Sequence, residues 1–275
     1  MNSLRIFLLA ALVLVVFGTD NIEADEISLE WEGRYRLGGP AYDVAVSGDY
    51  AYVTTGIYGR GIEVIDISDS SAPQSIVHHE INNTLRIDLK ADYLYVATYD
   101  EGLSILDISE PTNLQEVGSY KLHGDNKARG VVVIEDYAFV ADYDEGLLVI
   151  DVSDPTNPQK VGDYPGNALA LAVVGDYAYI AKGSSTVTIL DISDPTDPQY
   201  VKNYHSDASQ VWSVEVDGDY AYLGVTGSEQ EIIDISDPAN PQLVATYEIF
   251  DTVYDLKVIG DYLYVAGGEE GFFIV

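Results

Sequence analysis

Short runs of alternating apolar and polar residues recur along most of the chain, and Gly, Asp, Ser and Pro separate them. In one representative stretch the runs cover residues 131–134, 137–142, 147–152 and 159–164. Val, Ile, Leu and Tyr dominate these runs, and no stretch after residue 24 has the period of an amphipathic helix. Such runs between turn residues predict β-strands joined by tight turns, four in each stretch of this kind.

The four-strand unit recurs along the chain. An Asp-Tyr-x-Tyr/Phe-aliphatic string returns in steps of 40 to 44 residues, beginning at Asp49, Asp92, Asp136, Asp176, Asp219 and Asp261. A second string, aliphatic-Asp-aliphatic-Ser, follows it in most copies, as in 150–153. Four strands in a unit of this length are typical of a β-propeller blade, so the pattern predicts an all-β propeller of four-stranded antiparallel blades.

The two ends of the chain complement one another as parts of one blade. Residues 30–35 match the fourth strand of the repeat, and residues 271–275 match its third strand. We therefore predict a six-bladed propeller closed by the N-terminal strand, which joins three strands of the last blade. The alternative is a fragment of a propeller with seven or more blades, because the Asp after the third strand would fall one residue beyond Val275.

Residues 1–24 are predicted to be a secretory signal peptide rather than part of the fold. A basic start up to Arg5 precedes an apolar run over 6–17, and small and acidic residues follow up to Ala24. A run of this length is too short to span a bilayer, which takes about 20 residues. We expect residues 25–275 to form the propeller and to be secreted, periplasmic or on the cell surface, without membrane insertion after cleavage. An uncleaved N-terminal anchor is the alternative.

The repeated strings resemble those of a known family. Residues 102–108 read Gly-Leu-Ser-Ile-Leu-Asp-Ile, residues 146–152 read Gly-Leu-Leu-Val-Ile-Asp-Val, and Ser-Asp-Pro-Thr-x-Pro-Gln follows the second of these. These motifs are similar to those of LVIVD-repeat proteins, and the resemblance covers residues 27–275. It implies an exported bacterial or archaeal β-propeller and does not by itself assign an activity.

Composition excludes several functions. The chain has 46 acidic and 13 basic residues, a formal net charge of −33, and no cysteine. Such a charge opposes nucleic-acid binding, which needs a basic surface. Without cysteine there are no disulfides, thiol nucleophiles or Cys-ligated metals. We interpret the aspartates that recur before Ser and Pro as turn-forming residues, because their carboxylates accept bonds from nearby backbone N–H groups.

Aromatic residues outside the repeated strings form the first candidate site. In a propeller, the second hairpin turn of each blade and the start of each innermost strand open on the same face. An aromatic face with polar loops suits a protein or glycan partner. The candidates in the turns are Tyr58, Tyr99 and Tyr143, and those at strand starts are Tyr42, Trp212 and Tyr254. The alternative for the second group is packing between blades.

Residues predicted to face the central channel form the second candidate site. One row contains Asp43, Arg86, Gly130, Ala170, Ser213 and Asp255, and the next contains Ala45, Asp88, Val132, Ala172, Glu215 and Lys257. Their variation between repeats singles them out. Asp43 and Asp255 lie in blades that adjoin if the ring closes, and two carboxylates could hold Ca²⁺. The alternative is an internal ion-pair cluster in which Arg86 and Lys257 neutralise the acids.

The sequence contains no Gly-x-Ser-x-Gly elbow, P-loop, dinucleotide-binding motif or Ser-x-Asp-x-Gly-x-Thr-Trp box. We therefore predict a monomeric, non-catalytic binding module for a protein or glycan of the cell envelope, with no cofactor other than a candidate Ca²⁺. The alternative function is a metal-assisted hydrolase or lyase that uses the channel carboxylates Asp43, Asp88, Glu215 and Asp255.

Overall fold

The computed structural model describes residues 35, 37, 41–56, 61–122, 127–249, 252–260, 262–267 and 271–274. All regular structure in this part of the chain is β-strand, arranged as 23 strands in six sheets. Within the described residues, no helix is long and apolar enough to cross a membrane. The prediction of an all-β chain is confirmed.

Each of the first three blades is one sheet of four strands. Blade 1 contains β1 (Asp43–Ser47), β2 (Tyr50–Thr54), β3 (Gly61–Asp66) and β4 (Gln74–Glu80). Blade 2 contains β5 (Thr84–Lys90), β6 (Tyr93–Thr98), β7 (Gly102–Asp107) and β8 (Gln115–Lys121). Blade 3 contains β9 (Ala128–Ile134), β10 (Tyr137–Asp142), β11 (Gly146–Asp151) and β12 (Gln159–Tyr164).

The next two blades repeat this arrangement, and the sixth has three described strands. Blade 4 contains β13 (Ala170–Val174), β14 (Tyr177–Ala181), β15 (Thr186–Asp191) and β16 (Gln199–His205). Blade 5 contains β17 (Val211–Asp217), β18 (Tyr220–Val225), β19 (Glu229–Asp234) and β20 (Gln242–Glu248). Blade 6 contains β21 (Val253–Ile259), β22 (Tyr262–Gly267) and β23 (Gly271–Ile274).

Every sheet is an antiparallel meander whose strands pair in sequence order. The six blades agree with the predicted propeller. The strand predicted to close the ring, at residues 30–35, lies outside the described residues except for Tyr35, so closure stays a prediction. The predicted signal peptide, residues 1–24, also lies outside them.

The core is shared between neighbouring blades rather than enclosed within one. Between blades 2 and 3, Tyr95 and Leu103 pack in one buried cluster with Val140 and Leu148. Further clusters join blade 1 to 2, 3 to 4, 4 to 5 and 5 to 6. The sheets of blades 2 to 5 therefore have a neighbouring blade on each face, and the apolar area buried between blades stabilises the fold.

The recurring aspartates shape the turns between the third and fourth strands. In blade 3, Ser153 N donates to Asp151 Oδ1 at 2.9 Å, and Thr156 N donates to Asp154 Oδ1 at 3.0 Å. The same bond to a Ser or Thr N–H recurs in the other complete blades, at Asp66, Asp69, Asp107, Asp191, Asp194 and Asp234. The turn-forming interpretation of these residues is confirmed.

A close contact joins some of these turns to the preceding blade. Gly118 in β8 lies against the blade 3 turn, where a Cβ would come within 2.1 Å of the Pro155 carbonyl oxygen. Gly162 in β12 stands in the same relation to Pro195, at 2.4 Å. Only glycine allows the strand and the turn to approach this closely.

Candidate functional site

Four innermost strands contain a β-bulge near their first residue. In β9, Ala128 pairs with Asp142 and Gly130 with Ala141, so Arg129 has no partner in the register. The residues in the same position of the other three strands are Leu85, Trp212 and Tyr254. Bulges occur at rims and next to sites because they redirect a side chain out of the regular alternation.

The bulges lie at the end of the propeller that we call the channel mouth. The innermost strands begin at this end, and the turns after the second strands open there too. We define the channel mouth by Arg129 and the predicted aromatic residues that the structure describes. The aromatic residues are Tyr42, Tyr99, Tyr143, Trp212 and Tyr254. Tyr58 lies outside the described residues.

Trp212 and Tyr254 form an aromatic pair across blades 5 and 6. Their ring centroids are 5.6 Å apart with an interplanar angle of 61°, an edge-to-face arrangement. Trp212 Nε1 donates to Thr226 Oγ1 at 2.8 Å, which fixes the indole. Tyr254 is 40% exposed, whereas Val214 and Leu256, two positions further along the strands, are 6% and 2% exposed. Tyr254 therefore does not continue the buried row between blades.

Tyr99 and Tyr143 hold Arg129 between them. The Arg129 Cζ lies 5.4 Å from the centroid of each ring, so the guanidinium makes two cation–π contacts. Lys127 Nζ lies 5.3 Å from the Tyr143 centroid and forms an ion pair with Asp144 at 3.0 Å. These contacts bring two predicted tyrosines together around a cation.

Arg129 is a site residue that the sequence interpretation missed. It stands one position before Gly130, as Trp212 stands before Ser213 and Tyr254 before Asp255. The repeat alignment therefore contained the signal, but only aromatic residues were selected at this position. Tyr42, at the start of β1, packs closely on Gly56, where a Cβ would come within 1.9 Å of its ring.

A cavity of about 160 Å³ lies in the central channel. Residues from all six innermost strands line it, including every member of the first predicted channel row. Blades 3 and 4 contribute small or apolar residues, among them Gly130, Ala170 and Ala172. The charged lining residues are Asp43, Arg86, Arg129, Glu215, Asp255 and Lys257. Apart from Arg129 of blade 3, the charged lining residues therefore come from blades 1, 2, 5 and 6.

Most of the charged residues are engaged with one another or with the backbone. Arg86 forms an ion pair with Asp255, and Lys257 forms one with Glu215. Asp43 accepts Val44 N and Ile87 N, both at 2.8 Å, and so joins blades 1 and 2. Burial lowers the pKa of Arg86, while the negative charges of Asp43 and Glu215 act in the opposite direction.

Asp88 joins blades 2 and 3 in the same way that Asp43 joins blades 1 and 2. Its Oδ1 accepts Leu89 N at 2.6 Å and its Oδ2 accepts Val133 N at 2.8 Å. The side chain is buried, at 3% exposed. The bond from Val133 crosses between the two blades, and a hydrogen bond to a carboxylate is stronger than one between neutral groups.

The described residues contain no group of three or more His, Cys, Asp or Glu residues arranged to hold a metal ion. Asp43 accepts two backbone N–H groups and Asp255 lies against a guanidinium. This geometry favours the internal ion-pair cluster over the calcium site. Calcium binding by Asp43 and Asp255 stays a prediction.

The repeat identifies the family. The family model described as LVIVD repeat matches residues 38–78, 83–121, 125–164, 165–206, 208–249 and 252–275. The chain is a β-propeller built from such repeats, and it belongs to the LVIVD-repeat family. No curated protein matches the chain.

Solved structures with the same fold are distant in sequence. A functionally unknown protein from Desulfotomaculum acetoxidans DSM 771 matches with a TM-score of 0.68 at 13% identity, over 86% of this chain and 81% of that one. BamB from Moraxella catarrhalis matches with a TM-score of 0.64 at 14% identity, over 87% and 71%. A computationally designed protein, Ika8, matches with a TM-score of 0.66 at 11% identity, over 86% and 70%. At these identities the likeness shows the fold alone.

Proposed function

We propose that this LVIVD-repeat propeller is a non-catalytic interaction module that binds a protein or glycan partner through the channel mouth. The observation that supports it best is the concentration of Trp, Tyr and Arg at this end, where the repeats differ from one another. The turn aspartates, which have a structural role in every complete blade, are the same in successive blades. Residues that differ are free to serve a ligand.

The chemistry of the channel mouth suits recognition. Trp, Tyr and Arg are the residues most enriched where binding energy concentrates in interfaces. Tyr254 is 40% exposed, and Trp212, Tyr99 and Tyr143 are half-buried. Rings held in place by Thr226 and Arg129 lose little entropy on binding, and their faces can stack on a sugar or pack against apolar side chains.

The proposed location is outside the cytoplasm, as a secreted, periplasmic or cell-surface protein. It rests on the apolar run at 6–17 and on the family resemblance. A net charge of −33 keeps such a protein monomeric and soluble through self-repulsion and disfavours nucleic acid as a partner. We propose a monomer whose partner is a component of the cell envelope.

The channel geometry favours a binding module over a hydrolase or lyase. The four carboxylates of the alternative function already have partners: Asp43 and Asp88 accept backbone N–H groups, and Glu215 and Asp255 lie against Lys257 and Arg86. A general base or metal ligand needs an oxygen available to substrate or metal. These contacts would have to be exchanged before the carboxylates could act.

Affinity capture tests the proposed function. The tagged full chain is exposed to solubilised cell envelope and to spent medium, beside a variant with Tyr99→Ala, Tyr143→Ala and Trp212→Ala. The matched control is Tyr200→Ala with Tyr220→Ala, which removes rings that are 51% and 44% exposed away from the channel mouth. Circular dichroism confirms that each variant is folded.

The expected result is a partner retained by the parent and by the control and lost by the channel-mouth variant. Glycosidase or protease treatment of the captured material then assigns it to glycan or protein. Equal retention by all three chains, or no retention by the parent, would overturn the proposed function.

A further inference from the structure

Arg129 differs from the other cations of the channel because it forms no ion pair with a described residue. Arg86 pairs with Asp255 and Lys257 with Glu215. Among the described residues, no carboxylate lies within 4.0 Å of the Arg129 nitrogens, and its buried Nε has no hydrogen-bond partner. In a chain with 46 acidic residues and 13 basic ones, an arginine without a carboxylate is unexpected.

The surroundings of Arg129 keep it in place without satisfying its donors. The Arg129 Cζ lies 5.4 Å from the centroids of the Tyr99 and Tyr143 rings, and its buried Nε has no hydrogen-bond partner among the described residues. A buried donor without a partner costs free energy, so the arrangement is stable only when something compensates. An arginine fixed in this way presents a preorganised fork that fits a carboxylate.

The cavity provides space for a ligand next to Arg129. Ala170 and Ala172 line the cavity with small side chains, on the blade next to the one that contains Arg129. Ser213 also lines the cavity, and its Oγ is buried with no hydrogen-bond partner while the residue is only 2% exposed. This Oγ lies where blades 5 and 6 meet, since a Cβ on Gly224 would come within 2.2 Å of it and within 2.7 Å of Val253.

We propose that the channel cavity binds a single carboxylate group, with Arg129 as its counter-ion. The inference deepens the proposed function, since the ligand enters at the channel mouth. A singly charged group matches the balance of charge, because the other two cations of the cavity are already paired. A multiply charged anion would leave an excess of negative charge in a protein of net charge −33.

The test titrates the folded full chain with small probes in the absence of any envelope partner. The small-acid probes are acetate and D-glucuronate. The peptide probe is trialanine with a free C-terminal carboxylate, and the same peptide with a C-terminal amide is its control. Binding is measured by calorimetry and by the NMR shift of the Arg129 Nε–H, which reports on the site directly. Sulfate serves as the multiply charged probe.

We expect at least one carboxylate probe to bind and to shift the Nε–H resonance, and we expect the peptide amide and sulfate to bind at least about tenfold more weakly. Arg129→Gln should weaken binding about tenfold or more, and Arg129→Lys should restore part of it because a point charge remains. The matched control Lys160→Gln removes one positive charge from a surface pair with Asp163 and should change nothing. Stronger binding of acetate or D-glucuronate than of trialanine assigns the site to a small acid. Stronger binding of trialanine assigns it to the C-terminal carboxylate of a peptide chain.

The inference is overturned if no carboxylate probe binds, if sulfate or the amide binds equally well, or if Lys160→Gln weakens binding as much as Arg129→Gln. These outcomes are separable from failure of the proposed function. Probe binding without a captured partner upholds the carboxylate site alone, and capture without probe binding upholds the recognition face alone.

Discussion

The two ends of the propeller follow different rules. At the end that holds the turns between third and fourth strands, an aspartate accepts a Ser backbone N–H in the same way in each complete blade, as at Asp107 and Asp191. At the channel mouth the bulge position holds Leu85, Arg129, Trp212 or Tyr254. The residues that form the turns are repeated from blade to blade, whereas the residues at the channel mouth differ between blades and surround a single cavity.

This difference separates stability from recognition within a repeat protein. A residue that each blade needs for folding is repeated, because every blade presents the same turn and the same seam to its neighbour. A ligand in the central channel meets each blade once, in different surroundings, so its contacts need not be repeated. Substitutions at repeated positions should change stability, and substitutions at the channel mouth should change binding.

The largest expected effect on stability is alkaline loss of the fold. Tyr52, Tyr95 and Tyr179 occupy one repeated position and are about 1% exposed, and burial raises the pKa of each to about 12. Each side chain is neutral in the folded protein. Its contribution to the free energy of unfolding is therefore complete at a pH below the pKa of tyrosine in the unfolded chain, which is near 10. That contribution, roughly 2–3 kcal/mol per tyrosine, is lost as the pH rises through about 12.

Urea unfolding between pH 8 and 12 measures this loss. Substitution of all three tyrosines by Phe should flatten the dependence, and blade 3 provides the precedent because Phe139 occupies the same position there. An equally steep alkaline loss in the triple variant would contradict the assignment.

The second prediction concerns the close contact between blade 2 and the Pro155 turn of blade 3. In Gly118→Val the new Cβ would come within 2.1 Å of the Pro155 carbonyl oxygen, so the strand or the turn must move. We expect a loss of about 2–3 kcal/mol, measured as a lower urea midpoint at unchanged slope. Ala245→Val is the matched control at the equivalent position of blade 5, where the residue is exposed. Equal losses of stability in both variants would show that the contact with the Pro155 turn is not the cause.

A third prediction concerns acid. Bonds from the Ser or Thr side chain and backbone N–H lower the pKa of Asp66, Asp107, Asp151, Asp191, Asp194 and Asp234. A carboxylate with a lowered folded pKa contributes stability above its unfolded value near 4, and that contribution is lost as the pH falls through the folded value. Thermal unfolding from pH 7 to pH 2 should show the decline beginning near pH 4. Asn at all six positions should weaken this decline, and a decline that is unchanged would contradict the role of the turns.

The smallest expected effect on stability is at the channel mouth. Tyr254 is 40% exposed and forms an edge-to-face contact with Trp212, so Tyr254→Ser should change the free energy of unfolding by less than about 1 kcal/mol. Chemical denaturation measures this directly. A loss as large as that expected for Gly118→Val would mean that the channel mouth is part of the core.

The fold was predictable because its determinants are local and repeated. The strand pattern, the turn aspartates and the period are all visible in a single repeat, such as the one from Asp136 to Tyr164. The resemblance to the LVIVD repeat led to the same fold, and the family match confirms it. Closure by residues 30–35 is not local in this sense, because it depends on two ends of the chain far apart in sequence.

The site was predictable only in part. The repeat alignment placed Asp43, Arg86, Ser213 and Asp255 in the channel because alternation along a strand fixes the direction of a side chain. It did not select Arg129, because a bulge breaks that alternation and because its importance depends on Tyr99 and Tyr143 from neighbouring turns. Nor did it reveal which charges are paired, since the Arg86–Asp255 contact crosses from blade 2 to blade 6.

The central claim is that recognition occurs at the channel mouth and not at the repeated turns. Hydrogen–deuterium exchange of the full chain, alone and bound to its captured partner, tests it most directly. The account predicts slower exchange in peptides that contain Tyr99, Tyr143 and Trp212, with unchanged exchange at residues 68–73, 109–114 and 153–158. Protection confined to those turn peptides would contradict it.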